Sequence, residues 1–167
     1  MYIRTAAVIL IILGGAFCGL NCSEKLRSRA ELCRETEKML RMCEFSIKSC
    51  EADVYSIASK LRAAGFRMLS FLSELPESYE ECSDFHGKWR ASVLKCHSLS
   101  YDERELLIEI GAALGSCDTE GQLKELAAYR ERVQELYEQR LAEYRSKGRL
   151  YRSLGLLAGV TLGIIVI

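Results

Sequence analysis

The sequence predicts an all-α protein, an antiparallel helical bundle between an N-terminal and a C-terminal transmembrane helix. Three observations predict it. The chain of 167 residues holds a single proline, so little forces its helices to break. Both ends are free of charge, from Thr5 to Leu20 and from Ser153 to Ile167. Between them lies a densely charged region whose apolar residues recur every third or fourth position, the spacing of a one-faced helix. The expected division is a span over 1–21, a cytoplasmic bundle over 22–148 and a second span over 149–167.

Each apolar run reaches somewhat over about 20 Å at ~1.5 Å per residue, short of a ~30 Å hydrocarbon core. Flanking residues supply the remainder. Tyr2 and Tyr151 suit the interface, and Arg4, Arg149 and Arg152 can extend their charges into water. A cleaved signal is the competing reading of the N-terminus, with Gly14-Gly15-Ala16 as a tolerable site; an uncleaved anchor is favoured. A lipoprotein signal fits less well, because bulky Phe17 precedes Cys18. Lys25, Arg27, Arg29 and Arg34 follow the first run, and Arg145, Lys147, Arg149 and Arg152 flank the second. The excess of basic residues beside the spans places the middle region in the cytoplasm and both termini outside.

In the middle region the first helix is expected over Glu24 to Lys48, with Leu26, Ala30, Cys33, Leu40, Cys43 and Ile47 on its inner stripe. Asp53 caps a shorter helix to about Ala64, where Gly65 ends it. Phe66 to Leu75 reads as another short helix stopped by Pro76. A helix from about Glu81 to Cys96 carries Cys82, Phe85, Trp89, Val93 and Cys96. Ser100 and Glu103 form a capping box for a helix bearing Leu107, Ile110, Leu114 and Cys117. Thr119 with Gln122, or Asp118, opens a last helix that runs through Gly148 to the C-terminus. Leu123, Leu126, Val133, Leu136, Tyr137, Leu141 and Tyr144 line one side of it.

Acidic and basic residues balance at 23 each, which gives no electrostatic case for nucleic acid. The eight cysteines include no C-x-x-C pair. In a cytoplasmic region they stay thiols, and those on the helix stripes read as small core residues. Cys82 with His86 has ligand spacing, and Cys96-His97 could complete a set of four. On one continuous helix Cys82 and Cys96 would stand about 21 Å apart, so only a break near Gly87 would unite them. No nucleophile motif and no phosphate-binding loop is present. The chain reads as no enzyme, without catalytic residues, cofactor or metal. Gly15 and Gly19 in the first run, and Gly155, Gly159 and Gly163 in the second, recur every fourth residue. That spacing lets membrane helices approach closely, between the two spans or between copies.

From Ile110 to Ile167 the chain resembles the stage III sporulation protein AB family. The likeness is carried by Leu114-Gly115, Asp118 and Gln122 before the last helix, and by Tyr151, Ser153, Leu154, Gly155, Leu157, Ala158 and Gly159 in the final run. The hairpin layout and length match over the whole chain. The resemblance implies a cytoplasmic domain similar to that of the type II secretion platform protein F. It also implies a place in the mother-cell membrane around the forespore, within a secretion-like channel complex. The implied partners are a sporulation stage III AA-type ATPase and the other channel subunits. Leu114, Gly115, Asp118 and Gln122 stand either as a helix joint or as a partner contact. A membrane-anchored coiled-coil adaptor and a cysteine-rich thiol or zinc protein of the envelope are the alternatives.

Overall fold

The computed structural model describes residues 2–50, 53–76, 78–115 and 118–166. Cys117 lies outside them, as do the side chains of Tyr2, Arg4 and Cys50. The described chain is all-helical. In order it forms α1 (Tyr2–Cys50), α2 (Val54–Ala63), a 3-10 turn (Ser70–Glu74), α3 (Phe85–Lys95), α4 (Tyr101–Ala113) and α5 (Thr119–Val166). It divides into two compact units. The first joins 1–31 with 136–167, and the second is 32–135. This division by packing falls elsewhere than a division by hydropathy, because α1 and α5 stay in contact beyond their apolar runs, as far as Ser23 and Gly148.

In the first unit the N-terminal half of α1 packs antiparallel on the C-terminal half of α5. The stretch Val8–Ser49 of α1 contains a segment apolar enough to cross a membrane. The last apolar run, from Ser153, is bordered by Lys147, Arg149 and Arg152, and among the described residues only one helix passes as a span.

The second unit has its own core. Met39, Leu40, Cys43 and Ile47 of α1 meet Ile57 and Leu61 of α2, Phe85, Trp89 and Val93 of α3, Leu107 and Ile110 of α4, and Leu126 and Val133 of α5. Each such side chain withdrawn from water contributes roughly 1.5–3 kcal/mol before the cost of ordering it. Trp89 ties two helices as well as filling space. Its indole N–H donates to the Leu107 carbonyl at 2.8 Å, and its ring crosses edge-on to Phe71 at 5.2 Å.

The helix ends follow local chemistry. Asp53 caps α2 by accepting the Ser56 N–H at 2.7 Å, and Ser100 with Glu103 closes a capping box at the start of α4. Gly65, at φ 64, ends α2. The helix expected over 66–75 shrinks to the 3-10 turn, because the N–H groups of Arg67 and Met68 are taken by the Glu35 carboxylate at 3.3 and 2.7 Å. Leu75 then turns extended before Pro76, as a pre-proline residue does. α3 starts at Phe85 and not near Glu81, since Asp84 accepts the Gly87 N–H at 2.8 Å and sets the cap there. Cys82 therefore precedes the helix, and its carbonyl accepts the Tyr55 hydroxyl at 2.7 Å.

Candidate functional site

The chemistry-bearing groups fall at three places. The first is the crossing of α1 and α5 in the first unit. A Cβ added at Gly15 would lie 2.6 Å from the Gly155 carbonyl oxygen and 2.9 Å from the Gly159 Cα. One added at Gly19 would lie 2.5 Å from the Tyr151 carbonyl oxygen and 3.2 Å from the Gly155 Cα. A Cβ added at Gly159 would lie 3.0 Å from the backbone of Ile12, and one added at Gly163 would lie 3.1 Å from the Val8 side chain. Gly148 continues the line toward the Ser23 hydroxyl, also at 3.1 Å. The structure thus brings together the glycines of both apolar runs, within one chain. Absent side chains let the two backbones touch, the arrangement that small-xxx-small spacing permits. Gly14, one residue from Gly15, has nothing within 4 Å.

Around this crossing the large side chains turn outward. Ile9, Leu10, Leu13, Phe17, Leu154, Leu157, Leu162 and Ile164 are each at least half exposed, with values from 50 to 69 %. A water-soluble surface rarely carries so long an apolar face.

The second place is the joint between α4 and α5. Leu114 is fully buried, and Gly115 takes φ 77 with the Val54 side chain 2.8 Å from where its Cβ would be. Any other residue at Gly115 would be strained by conformation and by contact. Asp118 caps α5: its carbonyl accepts the Gln122 N–H at 2.9 Å, and its carboxylate reaches the Gly121 N–H at 3.5 Å. Gln122 is buried, one turn in. The four residues of the motif therefore share one helix joint of the second unit.

The third place is a polar seam in the second unit. Glu44 of α1 is buried, and one carboxylate oxygen stands 3.4 Å from the Arg130 guanidinium of α5. Its other oxygen, Oε1, is buried without a hydrogen-bond partner. Burial, and then the neighbouring Glu44 charge, push the Cys43 thiol up to about 12. That cysteine is an inert core group at neutral pH. In the first unit, on α5, Lys147 donates to Glu143 at 2.7 Å, which holds the Glu143 carboxyl below its usual range and Lys147 above its own.

His86 and Cys96 have hydrogen-bond partners within the second unit. His86 Nδ1 lies 3.0 Å from the Gly111 carbonyl oxygen, and Cys96 Sγ stands 3.4 Å from the hydroxyls of Ser70 and Ser98. Among the described residues no three His, Cys, Asp or Glu side chains gather as metal ligands. Two features escape a reading of the sequence. Gly111 is buried directly beneath the Trp89 ring, where an added Cβ would overlap the indole, and Glu35 serves as the anchor of the 66–69 turn. The first could have been suspected from a glycine inside an otherwise regular helix; nothing marks the second.

The chain matches the family described as stage III sporulation protein AB over residues 4–167. No curated protein matches it. No solved structure matches it.

Proposed function

The chain belongs to the stage III sporulation protein AB family, and on that premise we propose that it is a non-enzymatic membrane platform subunit of a sporulation-specific secretion-like channel complex. Its role is sporulation-related. In this reading the first unit is a hairpin of two spans in the mother-cell membrane around the forespore. The second unit stands on the cytoplasmic side and offers a docking surface to a stage III AA-type ATPase and to other channel subunits.

The observation that carries the reading is the glycine crossing. Two apolar helices whose backbones touch at Gly15, Gly19, Gly155 and Gly159, with large apolar side chains around them, suit lipid better than water. In a bilayer, lipid tails solvate Leu and Ile as well as a protein core does, so helices associate through close backbone packing at small residues. The basic residues after the first run and before the second favour placing the second unit inside. The second apolar run, Ser153 to Ile167, is shorter than a hydrocarbon core, and local bilayer thinning with Arg149 and Arg152 reaching toward water accommodates it at modest cost.

The docking half of the proposal is tested with the full chain in a mild detergent or in lipid nanodiscs, immobilised and offered the purified ATPase. Retention of the ATPase by the chain, and its loss when the second unit is blocked by an antibody fragment, is the expected result. Absence of retention in nanodiscs contradicts the docking role.

A further inference from the structure

We infer that copies of this chain associate head to tail through two helix faces of the second unit, a basic stripe on α1 and an acidic stripe on α5. On α1 the exposed residues of this unit are Arg34, Lys38, Arg41, Phe45, Lys48 and Ser49. Every exposed charge among them is basic. The acids of the same segment are turned in: Glu35 and Glu37 are half-buried and Glu44 is buried. The five large residues recur at spacings of four, three, four and three, one continuous face of a helix. At its centre Phe45 is 71 % exposed, an unusual place for a phenylalanine on a charged helix.

The α5 helix carries the complement. Glu125, Ala128, Glu131 and Glu135 are all exposed and share one face. Laid antiparallel, the two faces keep register. Lys48 meets Glu125, Phe45 lies over the small Ala128, Arg41 meets Glu131, and Lys38 meets Glu135. Spacings of four on one helix fall against spacings of three on the other, as in antiparallel helix packing. Lys124 also lies exposed beside Glu125, and it sets the end of the favourable register. Arg132, the other exposed cation here, is turned to Glu109 at 3.3 Å. Arg41 is held on its own helix by Glu37 at 2.6 Å, and Lys38 also lies over the Phe66 ring at 5.5 Å, so Phe45 and Lys48 carry most of the contact and Lys38 adds its charge at the edge.

The occupant is a second copy and not the same chain. Within the chain α1 and α5 already meet through other faces, by Glu44 with Arg130 and by the core residues Leu40, Cys43, Leu126 and Val133. Both stripes are left outside that contact. Because the stripes are two different surfaces, each copy gives one and receives one. Such heterologous contact builds a ring or an open row.

The test uses the full chain in a zwitterionic detergent, followed by sedimentation at several concentrations and salt strengths. Wild type self-associates, and the association weakens as salt screens the exposed charges. Lys38→Glu with Lys48→Glu, and separately Glu125→Lys with Glu135→Lys, each weaken it roughly tenfold or more by setting like charges face to face. An equimolar mixture of the two variants associates again, because each supplies the face the other has lost. Phe45→Ala weakens association without changing its salt dependence. Circular dichroism and unfolding of every variant match wild type, since all these positions are exposed. A wild type that stays monomeric at low salt, including one that binds only a different acidic protein, overturns the inference. So do charge variants that associate like wild type, or a mixture that stays monomeric.

Discussion

Gly15 and Gly155 face each other backbone to backbone, and a Cβ added to either would lie 2.6 Å from the carbonyl oxygen of the other. The relationship is reciprocal, so neither helix can carry a side chain at this point of the crossing. From there the contact passes along Gly19 and Gly159 in opposite directions, which fixes the antiparallel sense of the pair.

The neighbouring glycines 14 and 15 give a controlled comparison. Gly15→Val forces a branched side chain into the Gly155 backbone, an overpacking that costs about 1–3 kcal/mol. Gly14→Val meets open space. Thermal unfolding in detergent, with hydrogen exchange of residues 8–22 and 148–163, shows a loss for Gly15→Val and little change for Gly14→Val. Equal effects of the two would deny the crossing.

Gly111 is the seat of Trp89. Alanine is the better helix former by roughly 1 kcal/mol, yet Gly111→Ala drives its methyl into the indole that donates to Leu107. The substitution destabilises by about 1–3 kcal/mol. Urea unfolding followed by the fluorescence of the single tryptophan reads both the loss and the change in the ring's surroundings.

Buried Glu44 pairs with the partly exposed Arg130 at the seam of α1 and α5. Arg130→Ala leaves a buried carboxylate uncompensated and costs about 1–3 kcal/mol. The double change Glu44→Gln with Arg130→Gln removes the charge as well and costs less. Chemical unfolding of the single and double variants separates the two, and equal losses would mean that the pair contributes nothing.

The Cys43 thiol gives an alkaline signature. Its folded pKa is raised from 9.0 to about 12, so the neutral thiol is favoured by folding. That contribution is complete below pH 9 and is lost as pH climbs toward 12, with a ceiling on the order of 4 kcal/mol. The stability difference between wild type and Cys43→Ala therefore shrinks as pH rises from 8.5 to 11. A constant difference would contradict the burial of this thiol.

Much of this was legible in the residues because the signals are periodic and local. The stripe Ala30, Leu40, Cys43, Ile47 is buried, apart from its half-buried outer members Leu26 and Cys33. Asp53, Gly65 and the Ser100–Glu103 box punctuate the chain where their chemistry requires. What was hidden depends on distant partners. No local pattern says that Glu35 will claim two amides 32 and 33 residues away and shorten a helix to a 3-10 turn. Asp84, and not the acids before it, caps α3, and the Cys82 carbonyl just upstream is taken by the Tyr55 hydroxyl, a contact across 27 residues. The glycine spacing announced a close approach, but which of two spans or two copies would meet is decided only by the three-dimensional pairing.

On the proposed reading the first unit lies in the membrane as a hairpin, with the second unit on the cytoplasmic side. Impermeant maleimide labelling of single-cysteine variants, produced in intact non-sporulating cells where the chain inserts into the cell membrane itself, is the direct test. Tyr2→Cys and Ile167→Cys, each in a background lacking the native cysteines, are predicted to label from outside, while native Cys96 alone labels only after permeabilisation. Protection of position 167 together with Cys96, or labelling of Cys96 in intact cells, would contradict the account.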